Sequence, residues 1–156
     1  MSRLADISLD DAALKKATPE IMQEREVAIV DLLEDNAFAL PDDDAPAGPY
    51  KLRLSIHERR LAFYVTTEDD RSAAEFQLSQ GPMRQVVKDY FQICESYFEA
   101  VKTSPPSQIE TIDMARRGIH NEGARILQER LSGKVIVDTA TARRLFTLIC
   151  VLQFGG

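Results

Sequence analysis

The chain has 156 residues, is 44% hydrophobic and 28% charged, and carries a formal net charge of −6. These are the length and composition of one globular domain. A net of −8 over residues 1–80 and of +2 over 81–156 gives no concentrated basic surface, which excludes general affinity for nucleic acid or for an anionic membrane. No apolar run approaches the roughly 20 residues that span a bilayer. The start, Met1-Ser2-Arg3-Leu4-Ala5-Asp6, has no apolar signal core. Two cysteines without a CxxC spacing suit a reducing cytoplasm and not a disulfide scaffold.

Ala5, Ile7 and Leu9 alternate with Asp6 and Ser8, so a short strand opens the fold. Thr18-Pro19-Glu20 reads as an N-cap with proline at the first helical position, and predicts a helix over about 19–35. Leu40 to Pro49, with three prolines and three aspartates, reads as a connection. Three period-2 runs follow: Tyr50 to Ile56, Leu61 to Thr66 and Ala74 to Ser79. Their short links predict an antiparallel meander with one apolar face. Lys51, Arg53, Ser55, Tyr64, Gln77 and Ser79 lie on the other.

Gly81-Pro82 starts a long helix, about 82–102, whose stripe includes Val86, Val87, Tyr90, Phe91, Cys94, Tyr97 and Phe98. A second long helix, about 106–132, lies between Ser104-Pro105-Pro106 and Ser132-Gly133. Val135-Ile136-Val137 predicts a short strand. Asp138 or Thr139 caps a last helix to about 152, apolar around most of its circumference and therefore central. The fold class is α+β: residues 1–156 as a single domain, a small antiparallel β-meander with long amphipathic helices packed on one face.

No dinucleotide, P-loop, nucleophile-elbow or zincin motif is present. His120-Asn121-Glu122 resembles half of a zinc-deaminase signature, but its PCxxC half is absent. No metal and no cofactor is expected. Cys94 and Cys150 sit within apolar stripes and read as core. His57, beside Glu58, Arg59 and Arg60, reads as a solvated turn.

The helix over 106–132 is anomalous. At about 100° per residue, Ile109, Ile112, Ala115, Ile119, Ile126 and Leu127 define its apolar face. Asp113, Arg116 and His120 fall inside or at the edge of that face, and Arg117 flanks them. Gly123 stands in mid-face, where it costs about 1 kcal/mol against alanine. Arg25 breaks the stripe of the first helix between Ile21 and Ile29. Charge on a buried stripe must be paired or face a cleft. One reading is a structural network, for example Arg25 or Arg116 against Asp113. The other is an anion pocket. Arg116 and Arg117 would clamp a carboxylate or phosphate, His120 would act as acid or base with Asp113 as its orienter, and Gly123 would make room.

Three blocks carry a resemblance: Gly81-Pro82-Met83-Arg84 through Tyr97, Ile112-Asp113-Met114-Ala115-Arg116-Arg117-Gly118-Ile119-His120-Asn121-Glu122-Gly123, and Thr141-Ala142-Arg143-Arg144 through Leu152. Together they resemble the bacterial family known as uncharacterised protein family 0262, over Arg3 to Gly155. The resemblance implies a bacterial, cytosolic protein and assigns no catalytic residue. Two expectations follow. The first is a non-catalytic binding or regulatory protein, a homo-oligomer in keeping with the tyrosine-rich stripe of its helix over 82–102. The second is an enzyme or ligand-binder acting on a small anionic metabolite through Arg116, Arg117 and His120.

Overall fold

A computed structural model describes residues 2–10 and 18–154. In chain order the elements are β1 (Leu4–Leu9), α1 (Pro19–Glu34), β2 (Phe38–Ala39), β3 (Tyr50–His57), β4 (Arg60–Thr67), β5 (Ser72–Ser79), α2 (Gly81–Thr103), α3 (Pro106–Leu131), β6 (Ile136–Val137) and α4 (Thr139–Phe154). The α+β class stands. Thr18 caps α1 by accepting the Ile21 N–H at 3.2 Å. Asp138 caps α4 by accepting the Thr141 N–H at 2.9 Å.

The strands β3, β4 and β5 form the expected antiparallel meander, with Leu52 opposite Val65, Leu54 opposite Phe63, and Phe63 opposite Phe76. The opposite face carries Arg53 beside Tyr64 and Glu75, with the Arg53 guanidinium 4.2 Å above the Tyr64 ring. Glu58 and Arg59 turn the first hairpin in left-handed conformations, φ 51° and 66°, and leave His57 exposed at its mouth. The sheet is mixed and not wholly antiparallel: β1 adds parallel to β3 at the edge. A helix intervenes between these two strands, and a crossover of that kind returns the chain in the same direction. Alternation along β1 alone carries no information about direction. Asn36 covers the outer edge of β1, bonding both the N–H and the C=O of Leu4 at 2.7 and 3.0 Å.

The helix α4 is the centre of the core. Leu145, Phe146, Leu148 and Ile149 are fully buried, and α4 packs against β3, α1 and α3, while α2 packs on α3. Within α3, burial is concentrated late: Gly123, Ala124, Leu127 and Leu131 are buried, whereas Ala115 is exposed. Its 26 residues outrun the 16 of α4, so its first turns lack that partner. The periodicity of α3 therefore extends further than its burial.

Candidate functional site

A cleft of 610 Å³ opens between α1 and α3, with α4 along it. This is the size of a small-molecule site. The α1 wall carries Glu20, Glu24 and Asp31; the facing walls carry Arg116 and His120 from α3 and Arg143, Arg144 and Thr147 from α4. Helical spacing explains both walls. Glu20 and Glu24 are one turn apart and Asp31 is two turns further, so all three share a flank of the stripe that α1 buries through Ile21, Ala28 and Leu32. Arg143 and Thr147 are likewise one turn apart on α4.

Arg116 is pinned within the protein. Its Nε and Nη2 donate to Asp113 Oδ1 at 3.2 and 2.7 Å. Its Nη1 lies 3.9 Å from Glu24 Oε1, and its guanidinium stands 4.1 Å above the Tyr97 ring. Arg117 donates to the second Asp113 oxygen, with Nε at 3.0 Å and Nη2 in a further bond. Hydrogen bonds from Arg117 and Arg116 hold the Asp113 carboxyl below the usual carboxylate range. Asp113 is saturated by its own helix and does not orient His120.

His120 is half-buried, with its ring centroid 5.3 Å from those of both Tyr90 and Phe146. Its Nε2 is 2.7 Å from Thr147 Oγ1, and that hydroxyl lies 3.3 Å from the Arg143 carbonyl. The Thr147 hydroxyl has one proton. If it is donated to the carbonyl, the His120 Nε2–H donates to Thr147. Burial, then the charges of Arg143 and Arg116, push the imidazole pKa down to about 4, so it is neutral at pH 7. Burial raises the Glu24 carboxyl pKa, partly offset by the Tyr90 hydroxyl, which donates to it at 3.2 Å, and by Arg116. Burial pushes the Cys94 thiol up to about 11 and the Cys150 thiol well above its usual value, so both are core thiols and not thiolates.

The expected residues therefore divide. Arg116 and His120 line the cleft; Asp113 and Arg117 stand behind Arg116. Gly123 does leave space, but the space holds protein: a Cβ there would collide with the Phe146 ring, so the room for a ligand that it was expected to supply is taken. Arg25 does not line the cleft; it donates to Glu26 at 2.7 Å. Tyr90 is buried, and Tyr97 lies beneath Arg116, so these rings of the α2 stripe are engaged within the chain.

Glu20, Glu24, Asp31, Arg143, Arg144 and Thr147 also line the cleft and are not singled out by the sequence. The adjacent pair Arg143-Arg144 at the start of the most apolar helix was the available signal. Arg144 Nη1 donates to the Asp35 carbonyl at 3.1 Å. The Arg143 side chain is exposed and makes no hydrogen bond or ion pair among the described residues. No helix among those residues is long and apolar enough to cross a membrane.

The sequence profile of the Uncharacterised protein family (UPF0262) matches residues 1–155. A UPF0262 protein of Ruegeria pomeroyi is 72% identical, the alignment covering 100% of this chain and 99% of the relative. Those of Roseobacter denitrificans and Cereibacter sphaeroides are 67% and 64% identical, over 100% and 99% of this chain and 100% of each relative. No solved structure matches.

Proposed function

From the premise that this chain belongs to the uncharacterised protein family UPF0262, we propose that it is a cytosolic, non-catalytic protein that binds a small anionic metabolite in the α1–α3–α4 cleft. The carrying observation is Arg143: a guanidinium on the wall of a 610 Å³ cleft, without a bonding partner among the described residues. An arginine beside a carboxylate or phosphate forms charge-assisted, bidentate bonds, and Arg144 adjoins it on the same helix. Binding rather than catalysis is favoured because His120 is a weak base with a pKa of about 4 and has no acidic orienter among the described residues. The two buried, unpaired cysteines favour a reducing compartment. A ligand held between α1 and α4 would couple occupancy to the packing of those helices, which is a route to regulation.

A thermal-shift panel of phosphorylated and carboxylated metabolites, run on the wild type and on Arg143→Met, tests this reading. At least one compound should raise the melting temperature of the wild type by mass action and fail to raise that of the variant. Shifts that are equal in the two proteins, or absent from both, reject the cleft as an anion site.

One contact favours the enzymatic alternative: the 2.7 Å approach of His120 to the Thr147 hydroxyl at the cleft wall, the geometry of a base beside a nucleophile. Turnover of a bound compound that is lost in Thr147→Val would establish that alternative.

A further inference from the structure

The two walls of the cleft carry opposite charge. With His120 neutral, three carboxylates on α1 (Glu20, Glu24 and Asp31) face three guanidiniums on α3 and α4 (Arg116, Arg143 and Arg144). These walls do not neutralise one another throughout. Arg116 is bound to Asp113 and only approaches Glu24, at 3.9 Å. Half-buried Asp31 has no hydrogen bond or ion pair at its carboxylate among the described residues, and the same is true of the Arg143 guanidinium. The cleft therefore presents an unpaired anion on one wall and an unpaired cation on the other. Glu24 and Asp31 are two helical turns apart, about 10 Å along α1, and Glu24 is largely desolvated, with 22% of its side chain exposed.

A ligand bearing only negative charge would satisfy Arg143 and be repelled by the α1 wall, since like charges in partly desolvated surroundings are screened little. A ligand bearing only positive charge meets the reverse. We infer that the cleft selects a zwitterion: an aminoalkyl carboxylate or aminoalkyl phosphate, its anionic end on Arg143 and its ammonium group against the Asp31 carboxylate of the α1 wall, with Glu24 adding negative potential further along it. This rests on the cleft being an anion site, as proposed above, and adds the second charge. It also gives the acidic wall a role that an anion pocket alone leaves unexplained.

Matched compounds that differ by one amine test the inference: β-alanine against propionate, 6-aminohexanoate against hexanoate, and O-phosphoethanolamine against ethyl phosphate. Each is titrated calorimetrically into the full-length protein at low ionic strength. In at least one pair the amine-bearing member should bind about tenfold more tightly than its partner. Asp31→Asn should reduce that preference to about threefold or less while leaving the affinity of the amine-free member unchanged or improved. Arg143→Met should weaken both members together. Glu24→Gln repeats the test on the second carboxylate, with thermal unfolding as a check that the loss of its Tyr90 partner has not disturbed the fold. Asp31→Asn breaks no bond among the described residues and keeps the test decisive on its own. Equal or tighter binding of the amine-free member, with sensitivity to Arg143→Met retained, overturns the zwitterion and leaves the anion site standing. A preference for the amine that survives Asp31→Asn also overturns it. Binding by no compound, or binding indifferent to Arg143→Met, overturns the anion site and the zwitterion together.

Discussion

Arg116 and Arg143 face one cleft from neighbouring helices and are held in opposite ways. Arg116 lies on a half-buried stripe, donates twice to Asp113 and is stacked on Tyr97. Arg143 sits at the exposed edge of a helix that is core over most of its surface and is bonded to nothing at its guanidinium among the described residues. A cation on a buried stripe has been neutralised during folding, because leaving it unpaired there is costly. A cation beside the apolar stripe of a central helix has its backbone fixed by packing, while its guanidinium stays available to a ligand. Phe146 sets this contrast, because it seats α3 on α4 through the space at Gly123 and touches the Tyr90 and His120 rings. Phe146→Ala should cost about 3–5 kcal/mol in urea denaturation and allow the two arginines to drift relative to each other. Gly123→Ala should also destabilise, despite a gain of about 1 kcal/mol in helix propensity, because the ring has nowhere to retreat. A loss below about 1 kcal/mol for Phe146→Ala would show that this seat does not fix the cleft.

His120 feels the charge of both arginines and reports on both. Its folded pKa of about 4 is below the usual 6.5, so between these values the unfolded chain binds a proton that the folded protein does not. The stability from keeping this imidazole neutral is complete above pH 6.5 and is lost as the pH falls toward 4, by about 2 kcal/mol at pH 5. Glu24, whose raised pKa acts in the opposite sense, also faces this region. The measurement is therefore a difference: urea midpoints at pH 7 and pH 5 for the wild type and for His120→Gln. The variant should lose less stability on acidification. Equal losses would mean that His120 is solvated and protonates freely.

Much of the scaffold was legible in the sequence, because most elements carry a local signal; the two-residue strand β2 (Phe38–Ala39), which pairs with β6, carries none. Thr18-Pro19 marked the start of α1, alternation marked β3 to β5, and the uniform apolarity of Leu145 to Leu152 marked a central helix. The direction of β1 could not be read, since alternation is the same in parallel and antiparallel strands. The site was half legible. Arg116 and His120 stood out as polar residues on an apolar stripe, and both line the cleft. Glu24, Asp31 and Arg143 did not stand out, because each lies on a flank where charge is ordinary, and only the approach of α1 to α4 turns those flanks into facing walls. Gly123 shows the converse. The missing side chain was legible, but whether protein or ligand fills the space depends on Phe146, 23 positions further along the chain.

Arg116→Met tests the neutralised half of the contrast. Arg117 still holds Asp113 in this variant, and 26% of the Arg116 side chain is exposed. The loss should therefore be about 1 kcal/mol, well below the roughly 3–5 kcal/mol of a buried pair broken on one side. A larger loss in urea denaturation would mean that Arg117 cannot hold Asp113 alone. It would also make Arg116 part of the core rather than a wall of the cleft.

The smallest effect discriminates best between the two arginines. Arg143→Met removes an exposed guanidinium with no bonding partner among the described residues, so the urea midpoint at pH 7 should correspond to a change within about 0.5 kcal/mol. Yet Arg143 is the larger electrostatic influence on His120: after burial, its charge depresses the imidazole pKa more than that of Arg116 does. Removing either cation lowers the cost of an imidazolium and must move the pKa upward. The shift should be larger for Arg143→Met, the substitution with the smaller effect on stability. With only two histidines in the chain, His57 and His120, an NMR titration of the imidazole resonances in the three proteins resolves the two shifts. A larger shift in Arg116→Met, or none in Arg143→Met, would place the Arg143 guanidinium away from the cleft and in solvent, and would remove the free cation on which the anion site depends.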